Sequence, residues 1–142
     1  MSALHEEDFY SWCQEQAKNL SEKNFHKLDI QHLVEEIQDV GESLARELES
    51  CLRILFLHIL KWKYQPAFRS KSWEFSIKEH RRRVKRRLNK TPSLKARIDE
   101  LAKDAYEDST FEASQETGLD HKHFPESQFF TIEQALEDEW LP

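Results

Sequence analysis

From Ile30 to Trp62, apolar side chains return at helical spacing without a break: Ile30, Leu33, Val34, Ile37, Val40, Leu44, Leu48, Cys51, Leu52, Leu55, Ile59 and Trp62. Such a stripe predicts one helix on the order of 50 Å long, at about 1.5 Å of rise per residue. Asp29 is positioned to cap its start. Gln65-Pro66 ends it, because the residue before a proline avoids the helical region. The first half is amphipathic and acidic, with Gly41 in the stripe as a kink or a close-packing contact. The second half, Cys51 to Trp62, is apolar nearly all round, as expected of a helix surrounded by others. A chain built on such a rod is committed to a helical bundle.

The remaining segments agree. Phe9, Trp12, Cys13, Gln16, Ala17 and Leu20 give a stripe for a helix over 8–20, followed by a polar turn over 21–27. A third helix is expected over 72–89, with Trp73, Ile77, Val84 and Leu88 facing inward. Thr91-Pro92 opens a fourth that runs to Thr117, with Gly118 as its left-handed terminator. Thr131 and Gln134 form a capping-box pattern ahead of a short helix over 132–138, with Phe130 placed to staple Ala135. Nothing reads as a strand. The expected architecture is all-α: a bundle of one long central helix and three shorter ones, forming a single domain over 1–142. Residues 118–142 make an extension packed back through Phe124, Pro125, Phe129, Phe130, Trp140 and Leu141.

Composition sets the outer limits. The four Trp and nine Phe oppose disorder. No run approaches the ~20 apolar residues of a membrane span, and the acidic start carries no secretory pattern. Cys13 and Cys51 are unclustered, as expected in a reducing cytoplasm. A disulfide between them is disfavoured.

Charge is sorted into blocks. Residues 1–60 carry a net −7, residues 61–97 a net +12 and residues 98–142 a net −11. The basic block peaks in Lys78–Lys90, where Lys78, Arg81, Arg82, Arg83, Lys85, Arg86, Arg87 and Lys90 face a single acid, Glu79. These cations must meet acids of the same chain, a protein partner or nucleic acid. The first is expected, with Asp99, Glu100, Asp104, Glu107 and Asp108 of the next helix as the partners. The nucleic-acid alternative rests on Arg82, Arg83, Arg86 and Arg87 lying along phosphates.

Two further constellations could carry chemistry. Arg81 lies at i+4 from Ile77 and so shares the inner face, either snorkelling at its edge or buried and paired with a carboxylate, for which Glu35, Glu36 and Asp39 are candidates. His58, Lys61, Trp62 and Trp73, with Arg81, Arg82 and Tyr106 near them, could line a small apolar cleft with a few polar groups, a common form of binding site. Metal binding has only weak candidates, Glu36 and Asp39 on the long helix and His121 and His123 in a loop. No Glu-x-x-His motif, as in helical di-metal proteins, is present. With two glycines, the chain also has no phosphate-cradling loop and no nucleophile elbow. A metal-assisted enzyme using Glu36, Asp39 and His58 or His32 is therefore a minor alternative. No catalytic residue and no cofactor are expected.

Several short motifs, in order, resemble a bacterial family known as domain of unknown function 29. They are Asp8-Phe9-Tyr10 with Trp12, Leu28-Asp29 with Leu33 and Glu35-Glu36-Ile37, and Leu60-Lys61-Trp62 with Gln65-Pro66. They continue through Ser72-Trp73, Ser76-Ile77, Arg81-Arg82, Pro92-Ser93-Leu94, Ala105-Tyr106, Glu116-Thr117-Gly118 and Phe124-Pro125. The resemblance implies an all-helical domain and assigns no activity. Charge segregation and abundant aromatics favour a non-catalytic interaction or regulatory module, a homo-oligomer or the binder of another protein.

Overall fold

A computed structural model describes residues 4–142. Its helices are α1 (Leu4–Glu7), α2 (Phe9–Ser21), α3 (Ile30–Tyr64), α4 (Lys71–Lys90), α5 (Ile98–Thr117) and α6 (Ile132–Leu136). No strand occurs among the described residues, so the fold is all-α with one long helix. Backbone contacts divide the chain into two compact units, one ending at Ser43 and one spanning Leu44–Pro142.

In the first unit, Asp8 caps α2 by accepting from the Ser11 amide at 3.1 Å. The face of α2 turned inward is Trp12, Gln16 and Asn19, more polar than the expected stripe, while Phe9 and Leu20 stay exposed. Hydrogen bonds explain the substitution. Trp12 Nε1 donates to Asp29 Oδ2 at 3.0 Å, and the Asp29 amide donates to Gln16 Oε1 at 2.8 Å. The residue that starts α3 thus ties α2 to it.

The second unit holds the large core. The apolar half of α3, with Leu48, Leu52, Leu55, Phe56, Ile59 and Leu60, is sealed from solvent by Ile77, Val84 and Leu88 of α4 and by Leu101, Ala105 and Tyr106 of α5. Phe124, Phe130 and Ala135 from the C-terminal segment complete that core, and the Phe56 and Phe130 rings meet edge to face at 5.0 Å. At its start α5 departs from expectation. Residues Pro92–Arg97 form a 3-10 turn before the α-helix begins, and the Thr91 side chain makes no capping bond. The Leu94 amide donates to the Thr91 carbonyl at 3.0 Å, the i to i+3 bond of a 3-10 turn, rather than to the Thr91 side chain. Gly118 ends α5 in the left-handed region at φ 76°. The capping box of α6 is complete in both directions, at 3.0 Å each way. No described helix is long and apolar enough to cross a membrane.

Candidate functional site

α4 is sorted by its own spacing. Ser70 caps it, accepting from the Trp73 amide at 3.2 Å. Ile77, Arg81, Val84 and Leu88, at i, i+4, i+7 and i+11, are its buried stripe. The opposite face therefore receives Glu79, Arg82, Arg83, Arg86, Arg87 and Lys90, which line an open cleft of about 330 Å³. Glu79 is the single acid in this cleft. It accepts from Arg82 Nη2 at 2.7 Å and from Arg83 Nε at 3.1 Å, and these two guanidinium groups hold its carboxyl down at about 2. At the edge, Arg87 Nη1 donates to Glu47 Oε2 at 2.6 Å. The Cys51 side chain, foremost, and Glu47 favour its charged form. Among the described residues, Arg86 and Lys90 have no ion pair and no side-chain hydrogen bond.

The acids expected to neutralise this face are elsewhere. Arg82, Arg83 and Arg86 lie opposite the buried stripe of α4, out of reach of a helix packed against that stripe. Within α5, Glu100 pairs with Arg97 at 2.5 Å, Glu116 with Lys61 at 2.8 Å and Glu112 with Arg53. Partial neutralisation comes instead from Glu79, Glu47 and Asp138, the last bonded to Lys85 at 2.9 Å. Each such exposed pair contributes only about 0–1 kcal/mol.

The other expected site is filled by the protein's own contacts. His58 Nδ1 lies 2.9 Å from the Ile54 carbonyl, and burial pushes its pKa down. Its ring lies nearly parallel to that of His80, 6.5 Å away. The Lys61 ammonium sits 5.0 Å above the Trp73 ring while bonded to Glu116, and the Arg69 guanidinium covers the Trp62 ring at 5.0 Å. Tyr106 donates to the Pro125 carbonyl at 2.7 Å. Arg81 is buried, but no carboxylate takes it. Its Nε donates to the Ala135 carbonyl at 2.8 Å and its Nη2 to the Trp140 carbonyl at 2.7 Å. The space beside it, about 10 Å³, is at the lower limit for one water.

The metal candidates are likewise dispersed. Glu36 bonds His5 at 2.7 Å, His121 bonds the Thr110 hydroxyl at 2.9 Å, and His123 packs on Tyr64. Asp39 also has interactions of its own. Among the described residues no group of three or more His, Cys, Asp or Glu could hold one ion.

A cluster not foreseen from the sequence occupies the first unit. The His5 and His32 rings stack at 4.0 Å beside Trp12, and His32 Nδ1 lies 2.7 Å from Asp29 Oδ2. Their hydrogen bond raises the His32 pKa and lowers that of Asp29. The sequence marks Asp29 as a helix cap and His32 as a minor metal candidate, but nothing in it places the two together or His5 beside them.

Neither a curated protein nor a solved structure matches this chain significantly. The model of the family described as Domain of unknown function DUF29 matches residues 4–141 of the 142, and the chain belongs to that family.

Proposed function

We propose that this protein is a non-catalytic interaction module that pairs with a second copy of itself through the N-terminal half of α3. The observation that carries the reading is an uncovered apolar stripe. Ile30, Val34, Ile37 and Val40 are 58%, 48%, 69% and 66% exposed, although they recur at i, i+4, i+7 and i+10 as core residues do. Ile30, Leu33, Ile37 and Val40 follow the alternating three- and four-residue steps that seat one helix against another.

The flanks favour a like partner. Gly41 and Gln38 border one edge of the stripe and Glu36, bonded to His5 at 2.7 Å, the other, while Glu35 and Asp39 point away from it by helical position, so the one carboxylate beside the seam already has a partner. Gly41 adds a second reason. A glycine in mid-helix costs about 1 kcal/mol relative to alanine, and a Cβ placed there would meet nothing within 4 Å. No contact within the chain repays that cost, whereas a second helix crossing at Gly41 would. The free cysteines Cys13 and Cys51 suit a cytoplasmic setting.

Sedimentation equilibrium across the micromolar range tests this. A dimer is expected, and Ile37→Glu, which places a charge in the seam but touches no buried residue, should give monomer with unchanged helicity. A wild-type protein that stays monomeric throughout, or a dimer that Ile37→Glu leaves intact, overturns the reading.

A further inference from the structure

The cationic face of α4 plays no part in that pairing, and its chemistry points to a different ligand. We propose that it binds single-stranded nucleic acid, with phosphates along Arg82, Arg83, Arg86 and Lys90 and a base stacked on Phe75. Five cations and one carboxylate line the cleft, and that carboxylate, even fully ionised, offsets only one of them. The cleft therefore keeps a surplus of positive charge at neutral pH, on a chain whose formal net charge is −6. From Arg82 to Lys90 the helix rises about 12 Å, long enough to follow a backbone rather than one isolated anion. Arginine predominates, and its planar fork matches phosphate oxygens in pairs.

Phe75 decides between a bare polyanion and a strand with bases. It is 67% exposed. It lies at i−4 from Glu79, i−7 from Arg82 and i−11 from Arg86, and so continues the same face one turn toward the start of α4. Other rings of the chain, Tyr10, Phe25 and Phe68, are as exposed, but Phe75 is the one in line with the arginines of α4, where a base could stack on it. Sequence-tolerant single-strand binding combines these two elements, a basic track and an aromatic platform. A duplex keeps its bases stacked inside and leaves such a ring unused.

Fluorescence anisotropy with a labelled oligothymidine of about 20 nucleotides tests the proposal. Binding is expected at about 50 mM salt. With about four phosphates neutralised, affinity should fall about 50-fold by about 200 mM. The double variant Arg86→Glu/Lys90→Glu removes no intramolecular bond and should abolish binding. Phe75→Ala should weaken the oligothymidine complex about tenfold while leaving competition by inorganic polyphosphate unchanged. Circular dichroism on each variant separates loss of binding from loss of fold. No binding at about 50 mM salt, or binding indifferent to the Arg86/Lys90 reversal, overturns the site. A Phe75→Ala variant that binds as well as the parent, with the duplex bound as tightly as the single strand, overturns the assignment to single strands.

Discussion

Arg81 is 3% exposed, and its two bonds to the carbonyls of Ala135 and Trp140 fasten the end of the chain to α4. Its place on the inner face was legible from its spacing to Ile77 and Val84, but spacing alone left it free to snorkel at the edge or to be buried. Its partners were not legible. Sequence pattern marks side chains, every residue carries a carbonyl, and the choice of Ala135 and Trp140 is made only when the last segment folds back. Tyr106 repeats the lesson through its bond to Pro125. There a prediction follows. Burial lifts its phenol to about 12, from about 10 in an unfolded chain. The neutral form is the one the fold prefers. Its contribution is complete below about pH 10 and is lost as pH rises toward the folded value. Tyr106→Phe should cost about 1 kcal/mol at neutral pH, the net contribution of one hydrogen bond to the part-buried Pro125 carbonyl, and should flatten the alkaline fall in stability. Thermal melts of both proteins across that alkaline range check it, and an unchanged alkaline slope would show that other groups govern it.

At the scale of elements, the long helix, its proline stop and the glycine end of α5 could be read directly, because each depends on residues adjacent in sequence. The 3-10 start at Pro92 and the polar inner face of α2 could not. The first turns on which of two local bonding patterns the corner at Thr91 takes, the second on bonds across the chain between Asp29 and both Trp12 and Gln16. The α4 face was legible in content but not in direction: the sequence lists eight cations, and only the buried stripe shows which of them point outward. α3 offers the sharpest test at this scale. Gly41→Ala adds a methyl group with nothing within 4 Å, and should stabilise the helix by up to about 1 kcal/mol. The same methyl stands where a second helix would approach closely, so the dimer should weaken. Melting temperature measured at dilution and the dimer constant from sedimentation should therefore move in opposite directions. If both rise together, no helix crosses at Gly41.

At the scale of the whole molecule, the apolar stripe of α3 and the charged face of α4 answer to different forces, and salt separates their work. The exposed pairs Arg82–Glu79, Lys85–Asp138 and Arg87–Glu47 contribute too little singly for salt to unfold the protein. Self-association through Ile30, Val34, Ile37 and Val40 buries apolar surface, and the carboxylate at its edge, Glu36, is bonded to His5. Sodium chloride should leave it nearly unchanged, and sodium sulfate should strengthen it, because excluded salts favour apolar burial. Nucleic-acid binding at α4 releases counterions and should respond in the opposite sense, falling about 50-fold between about 50 and about 200 mM. Both constants can be measured on one preparation, by sedimentation and by anisotropy, across one salt series. Divergence is the expected result. A parallel fall would mean that copies are held together ionically, arginines of one against carboxylates of another. In that case the basic face would be the dimer interface and the apolar stripe a bystander, because an apolar seam gives salt little to screen.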